Sequence, residues 1–279
     1  MNQFKTLLII VAMTGLLVWI GDRLGGQSGM VLALAFGLVL NGVSYFFSDK
    51  IVLASYGAKP VTQAEAPELH AIVANLAQRA GLPMPRIAII PEDTPNAFAT
   101  GRNPEHAVVA VTEGIMRVLS RPELEAVIGH ELGHVKHRDI LIGSLAAVLA
   151  QAIMFLSRMA MWVSPRDEEG RSNPLAGIAI MILGPIAAFM LQMAVSRSRE
   201  YLADEYSAHL TGRPDMLASA LERLENYNQQ LPMASAQPAT AHMMIVNPLS
   251  GGGLMSLFST HPPMAVRVER LRRMPIEAR

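Results

Sequence analysis

Two long apolar runs open the chain, Leu7 to Ile20 and Met30 to Phe47, with only the short polar link 21–29 between them. Apolar helices of about 20 residues match the hydrocarbon width of a bilayer. A signal peptide is an alternative for the first run, but no small-residue cleavage pattern follows and a second run comes at once. The pattern therefore predicts a transmembrane hairpin, with a buried helical pair in a soluble core as the rival interpretation.

The chain turns polar at Ser48, which indicates the start of a water-exposed domain. Helical periodicity over Ala64 to Ala80 ends at the breaker residues 81–83. Short apolar stretches bounded by turn residues then predict three β-strands, at Arg86 to Ile90, Asn96 to Thr100 and Ala107 to Val111. A small sheet is therefore expected ahead of the next long helix.

That helix has a clear sequence signal for its start. Residues Ser120 to Glu123 read Ser-Arg-Pro-Glu, a capping box with proline in the first turn. Apolar residues then recur every three or four positions, as in a helix packed on a core: Leu124, Val127, Ile128, Leu132 and Val135. The pattern predicts one buried helix through this stretch.

Two further apolar runs, Ile140 to Val163 and Leu175 to Val195, follow that helix. They predict a second transmembrane pair, with the preceding helix running directly into the third span. A re-entrant or protein-packed arrangement is the alternative. Beyond them, a mobile loop is expected over Leu231 to Gly253, where periodicity is lost, and a helix over Pro262 to Arg273.

The composition agrees with a membrane protein and excludes some kinds of partner and metal site. Half of the residues are hydrophobic (51%) and the mean hydropathy is +0.30. The formal net charge is +0, which argues against a nucleic-acid partner. The chain has 0 cysteines, so disulfides and cysteine-ligated metals are excluded. The basic residues near the span ends favour one side of the membrane, which is then cytoplasmic: Lys5, Lys50, Lys136, Arg138, Arg197 and Arg199.

The predicted helix carries the sequence His130-Glu131-Leu132-Gly133-His134. On a helix, side chains four residues apart share a face, so His130 and His134 can meet one Zn²⁺ while Glu131 reaches a water beside it. A catalytic zinc site needs a third protein ligand and an open fourth position. The motif predicts a zinc hydrolase, and a buried helix with two incidental histidines is the alternative.

The third ligand is sought after the last apolar run. His137 is rejected, because a straight helix cannot bring residues i, i+4 and i+7 to one tetrahedral centre. Glu200 opens a new helix next to the membrane, so paired spans would place it beside the histidines. Asp204 lies one turn later on the same face and is predicted to orient a ligating histidine. Both acids facing solvent is the alternative.

The motif of His130, Glu131 and His134 is followed by Arg199-Glu200 and Ala203-Asp204, with apolar spans flanking these motifs in this order. This arrangement resembles the HtpX family of bacterial membrane zinc metallopeptidases, relatives of the CAAX-type membrane proteases. The segments 96–101 and 259–263 also match it, so the similarity covers essentially the whole chain. The resemblance implies that His130, His134 and Glu200 bind one zinc ion and that Glu131 is the catalytic base. It further implies cleavage of unfolded or misassembled inner-membrane proteins on the cytoplasmic side.

Together these inferences predict a mainly α membrane protein of the α+β type, with four transmembrane helices and a zincin-like cytoplasmic domain that contains a small β-sheet. Its regions are residues 1–47, the first hairpin; 48–139, the sheet and zinc helix; 140–196, the second pair of spans; and 197–279, the part with the third ligand.

Substrate is expected to add to the strand that begins at Asn96, Ala97 and Phe98, because main-chain pairing accepts many sequences. His261 is expected to be a structural cap, and a transition-state hydrogen bond from His261 or His242 is the alternative. A CAAX-type processing protease and a zinc-binding membrane chaperone without catalysis remain the rival functions.

Overall fold

A computed structural model describes residues 2–163, 197–233, 235–237, 239–248 and 262–275 of the chain. Its helices are α1 (Asn2–Ser55), α2 (Pro67–Ala80), α3 (Glu113–Val118), α4 (Arg121–Lys136), α5 (Ile140–Val163), α6 (Arg197–Thr211), α7 (Pro214–Gln230) and α8 (Met264–Arg272). Its strands are β1 (Lys59–Pro60), β2 (Arg86–Ile90), β3 (Ala97–Thr100) and β4 (Val108–Thr112). The expected mainly helical protein with a small sheet is confirmed.

The first helix, α1, folds back on itself. Gly26 adopts a left-handed φ of 55°, and a Cβ at Gly21 would lie 2.4 Å from the carbonyl oxygen of Gly29. Farther along, the side-chain amide of Asn41 donates to Thr14 Oγ1 at 2.9 Å. Residues 27 positions apart can meet in this way only if the two halves run antiparallel, so the expected hairpin geometry is present.

One half of this hairpin, Gly26–Ser55, is a 30-residue apolar helix, long enough to cross a bilayer. Its large side chains from Met30 to Phe47 are mostly exposed, and just 17% of its most apolar window is buried within the protein. Water would penalise such a surface, whereas lipid would not. The other three predicted spans stay predictions.

The sheet has the order β1-β2-β4-β3. Strand β2 runs parallel to β4, while β1 and β3 are antiparallel to their neighbours. All three strands predicted from the sequence are present, and β1 is a short addition. Because β3 is the last strand, it presents an edge towards the rest of the domain.

Two layers cover the sheet. One core lies between the sheet and helices α2, α4, α7 and α8, around residues such as Ile72, Val127 and Leu221. The other contains Phe98 and Tyr56 and reaches the end of α1 and the start of α5. The sheet is therefore held between the membrane-proximal helices and the helices that carry the site.

Helix α4 does not continue into the next apolar helix, as the sequence had suggested. It ends at Lys136, and Arg138 takes a left-handed φ of 58°. The N–H of Asp139 then donates to the carbonyl of His134 at 2.9 Å, which closes the turn. Helix α5 starts at Ile140, with the predicted bounds, and its first turns are buried and contact α1.

The segment 239–246, expected within a mobile loop, is packed instead. Thr240 and Ala241 are fully buried, and the Tyr56 and Thr240 hydroxyls are hydrogen bonded. Burial of small and apolar residues fixes this stretch although it lacks periodicity. The predicted fourth span, Leu175 to Val195, and His261 lie outside the described residues.

Candidate active site and metal centre

Helices α4 and α6 approach very closely, and two glycines of α4 permit it. A Cβ at Gly133 would lie 3.1 Å from the Cα of Ala203, and a Cβ at Gly129 would lie 3.0 Å from Ser207 Oγ. Ser207 Oγ also donates to the carbonyl of Ala126 at 2.6 Å. This contact brings the first turn of α6 against the histidines of α4.

Three side chains converge where these helices meet. His130 and His134 come from α4 and Glu200 from α6, and one ligand atom of each lies within 4.8 Å of the others. The Nε2 atoms of His130 and His134 are 3.1 Å apart. The Glu200 carboxylate oxygens lie 3.7 Å from the former Nε2 and 3.5 Å from the latter. The set could hold a metal ion.

The protonation pattern of the imidazoles fits a cation between them. His130 Nδ1 lies 2.9 Å from Asp204 Oδ1, and since an ionised carboxylate only accepts, Nδ1 carries the hydrogen. Nε2 of neutral His130 therefore presents a lone pair to the centre. Tetrahedral zinc with Zn–N bonds of about 2.0–2.1 Å places its nitrogens roughly 3.3 Å apart, close to the spacing found. Two nitrogens and one oxygen make a donor set suited to zinc.

Asp204 is held by Arg267 of α8, which sequence reasoning missed. The guanidinium donates twice to the Asp204 carboxylate, at 2.9 and 2.7 Å, and once to the carbonyl of Ile245 at 3.1 Å. Burial by itself would raise the pKa of Asp204, but Arg267 and His130 hold it at about 2. Arg267 is 0% exposed and its own pKa is raised by the facing carboxylates, so both partners stay charged. Asp204 is therefore placed to accept a hydrogen bond from His130 Nδ1, and its role in orienting a zinc ligand stays a prediction.

His134 has a different carboxylate behind it. Its Nδ1 lies 3.5 Å from Asp139 Oδ2, and Arg199 lies 3.6 Å from the other oxygen of Asp139. Burial would lower the pKa of His134, but Asp139, Glu200 and Glu131 raise it to about 9. The raised pKa favours the protonated form of His134, whose Nε2 lies 3.1 Å from that of His130. His130 alone keeps a lowered pKa, because it is buried.

Glu131 lines the same cavity as the histidines and Glu200. It is 2% exposed, and burial raises its pKa to about 7, although His134 and the backbone N–H of Ala99 act in the opposite direction. A carboxylate with a pKa near neutrality can both take and return a proton. Its position beside the predicted ligands is the one that the sequence motif requires.

The strand predicted to bind substrate already contacts the core and the segment 239–246. Phe98 is fully buried in the core, and the side-chain amide of Asn96 donates to the carbonyl of Val246 at 2.8 Å. The carbonyl of Ala97 accepts from Ile245 N at 3.0 Å. Ala99 is the residue of β3 that lines the cavity. Substrate pairing along β3 stays a prediction, in which Ala99 rather than Phe98 would face the cavity.

Two other candidate histidines have distinct environments. His242 lines the cavity, and its Nε2 lies 3.2 Å from the carbonyl of Gly143. His137 caps the end of α4 with its ring 5.6 Å from that of Tyr206, and it does not belong to the metal-binding group. The rejection of His137 as a ligand agrees with this geometry.

Comparisons with known proteins give a consistent relationship. The family model for Peptidase family M48 matches residues 63–275. "Protease HtpX homolog" of Desulforapulum autotrophicum is 55% identical over 277 residues, which cover 97% of this chain and 89% of that protein. The protein of the same name in Pyrococcus furiosus is 54% identical over 277 residues, covering 98% and 96% of the two chains.

A solved structure is also similar. The crystal structure of S. mikatae Ste24p matches with a TM-score of 0.54 at 20% identity, over 97% of this chain and 65% of the length of that one. At this identity the likeness concerns the fold alone.

Proposed function

The chain belongs to peptidase family M48 and is a membrane-bound metalloprotease, and from this premise we propose that His130, His134 and Glu200 hold one zinc ion. Glu131 acts as the general base and acid of peptide hydrolysis. The observation that carries the proposal is the meeting of these four side chains around one cavity, with ligand atoms of the first three within 4.8 Å of one another.

When bound, zinc supplies a Lewis acid that polarises the scissile carbonyl and lowers the pKa of a water molecule towards neutrality. Glu131 takes a proton from the attacking water and delivers it to the leaving amine. Asp204 and Asp139 keep the Nδ1 atoms of His130 and His134 protonated, so that each Nε2 lone pair faces the centre.

The proposed substrates are damaged or misassembled membrane proteins, cut on the cytoplasmic side of a bacterial inner membrane. Three features support this assignment: the apolar helix Gly26–Ser55, the relatives named as HtpX proteases and the basic residues at the catalytic end of the spans. An unfolded segment can pair with the Ala99 end of β3 through its backbone, which requires no particular sequence.

The test is cleavage of an unfolded membrane protein by the full chain and by Glu131→Gln. Removing the general base should reduce kcat by about 10²- to 10⁴-fold while zinc content stays unchanged, since the substituted amide leaves the three ligands in place. Glu125→Gln is the matched control, because the same exchange on the same helix alters a side chain that is 38% exposed. It should retain activity.

Two results would change the conclusion. Full cleavage by a zinc-loaded Glu131→Gln protein would remove Glu131 from the mechanism. A zinc-loaded wild type that cleaves no unfolded protein would favour a zinc-binding chaperone, and cleavage restricted to prenylated peptides would favour a CAAX-type processing protease.

A further inference from the structure

A second cavity lies at the membrane end of the catalytic domain, away from the zinc ligands. Its walls come from three distant segments, namely the end of α1, the start of β2 and the link between β3 and β4. The side chains that line it are Phe46, Phe47, Asp49, Lys50, Arg86, Arg102 and His106. We propose that this cavity, named here the basic pocket, binds the headgroup of an anionic phospholipid.

Charge is the first support. Lys50, Arg86 and Arg102 bring three positive charges, and Asp49 is the one carboxylate among the residues that line the pocket in the described part of the chain. Asp49 pairs with Arg86, whose side chain remains 53% exposed. The pocket therefore keeps a net positive charge next to solvent, although the whole chain has a formal net charge of +0. A phosphate group complements it.

The position of the pocket along α1 is the second support. Exposed large apolar side chains run from Met30 to Phe47, a rise of about 27 Å at 1.5 Å per residue, close to the hydrocarbon thickness of a bilayer. The next residues, Ser48 and Asp49, are buried against the domain, and Lys50 is exposed. The pocket therefore lies at the level where lipid phosphates are found.

The pairing of aromatic rings with cations is the third support. Lys50 Nζ lies 5.3 Å from the centre of the Phe47 ring, and Arg102 lies 5.6 Å from that of Phe46. The two rings are 56% and 47% exposed for Phe46 and Phe47. Rings at this depth can contact acyl chains while the cations above them contact the phosphate, as expected for amphipathic anchors at a membrane interface.

A hydrogen bond to His106 holds the guanidinium of Arg102 in one orientation. The Nδ1 of His106 is 2.7 Å from the Asn103 side-chain oxygen, so this nitrogen donates and Nε2 accepts from Arg102 at 2.6 Å. A held guanidinium loses less freedom on binding a phosphate than a mobile one. The pocket is a built feature of the fold, because His106, Asn103 and Arg102 belong to one short link between β3 and β4.

The inference requires α1 to lie in a membrane, but it does not depend on proteolysis. The test uses the full chain in a neutral detergent, with phosphatidylglycerol or phosphatidylcholine titrated in and bound lipid counted by native mass spectrometry. Phosphatidylglycerol should bind at least about tenfold more tightly. Each juxtamembrane cation contributes about 1 kcal/mol, or roughly fivefold, so Lys50→Gln with Arg102→Gln should weaken binding about 25-fold, and Lys50→Gln alone about fivefold.

The matched control is the double variant Arg117→Gln and Arg273→Gln, which removes two exposed cations from outside the pocket. It should bind phosphatidylglycerol like the wild type. Equal binding of the two lipids, wild-type binding by the Lys50 and Arg102 variants, or an equal loss in the control would overturn the proposal. Displacement of the lipid by inorganic phosphate at a similar concentration would assign the pocket to free phosphate instead.

Discussion

The proposed zinc site and the basic pocket both gather charged side chains from distant parts of the chain, yet they do so in opposite surroundings. At the proposed zinc site, His130 is 1% exposed, and Arg267, which is 0% exposed, faces the carboxylates of Asp204 and Glu200. At the basic pocket, Arg86 is half exposed and positive charges outnumber carboxylates. Burial forces neutralisation within the fold, whereas exposure leaves room for a charged ligand.

This contrast implies different costs of substitution. Removing one member of a buried charge pair leaves the other without compensation, whereas removing one member of an exposed pair changes little, because water replaces it. Substitutions at the zinc site should therefore affect metal binding and stability together. Those at the basic pocket should matter only when lipid is present.

The largest expected effect is loss of the third ligand. Glu200→Ala should nearly abolish zinc binding and cleavage, because two histidines alone do not complete the three-ligand set of a catalytic zinc site. Equilibrium dialysis against zinc, followed by metal analysis, measures the effect. Glu205→Ala on the same helix is the control, since Glu205 is 51% exposed and lies outside the metal-binding group.

A substitution at Asp204 tests which of the two carboxylates binds the zinc ion. Asp204→Asn should weaken zinc affinity or activity about 10- to 100-fold, because it removes the charge behind His130 but leaves all three ligands. If Asp204→Asn loses zinc completely while Glu200→Ala keeps it, the roles of the two carboxylates are reversed.

Arg267 is expected to dominate the stability of the buried cluster. Arg267→Met should lower the free energy of unfolding by about 3–5 kcal/mol, since it leaves the buried Asp204 carboxylate without its cation. Denaturant unfolding of the metal-free protein measures it. Arg273→Met, which removes an exposed side chain from the end of α8, should change the value by less than about 0.5 kcal/mol. Equal losses of stability in Arg267→Met and Arg273→Met would show that the buried and the exposed arginine contribute equally.

The fourth expectation is the pH dependence of metal binding. His134 has its pKa raised from 6.5 to about 9 in the metal-free protein, and a ligating histidine must be neutral. Zinc binding should therefore release a proton, and affinity should rise about tenfold per pH unit up to roughly pH 9. Titration in buffers of different ionisation enthalpy counts the protons released. Affinity that does not change between pH 6 and pH 8 would contradict the assignment.

The stability of the metal-free fold changes with pH in the direction opposite to zinc affinity. A histidine pKa raised above its unfolded value stabilises the fold below about pH 6.5, and that contribution is lost as the pH rises through about 9. In zinc-loaded protein, the tighter binding of zinc at higher pH offsets this loss of stability over the same pH range. The difference in unfolding free energy between loaded and metal-free protein should therefore widen as the pH rises.

The smallest effect is expected at the basic pocket without lipid. Arg86→Ala removes its pair with Asp49, in which Arg86 is 53% exposed and Asp49 is 12% exposed, so water reaches one side of the pair and the loss should be about 1 kcal/mol, less than for the fully buried Arg267 and Asp204. Thermal unfolding in neutral detergent should therefore change little. A loss comparable with that of Arg267→Met would show that the pocket is a structural part of the fold and would weaken the comparison.

Sequence reasoning predicted the parts of the site that follow from local spacing. The four-residue interval between His130 and His134 requires only a helix, and the three strands follow from short apolar runs between turns. Arg267 could not be found in this way, because its partner Asp204 is 63 residues away and becomes adjacent only when α8 packs on α6. Asp139 offered a weak signal, as an acid five residues after His134 at a helix end.

Predictions from the local sequence pattern were wrong where tertiary packing determined the backbone instead. The apolar run that starts at Ile140, soon after His134, suggested one long helix, but the left-handed turn at Arg138 separates α4 from α5. Segment 239–246 has the composition of a loop, yet Tyr56 and the sheet bury it. The ring of Phe98 lies in the core, so substrate could pair with this strand only through the main chain, and that pairing stays a prediction.

The central claim is that two histidines of α4 and one glutamate of α6 share a zinc ion. Anomalous X-ray scattering at the zinc edge, from crystals of the full-length Glu131→Gln protein, tests it most directly. A single peak should lie about 2.0–2.2 Å from His130 Nε2, His134 Nε2 and a Glu200 oxygen, with Asp204 still paired with Arg267. A peak bound to Asp204 or His137, or no peak in zinc-saturated crystals, would contradict the account.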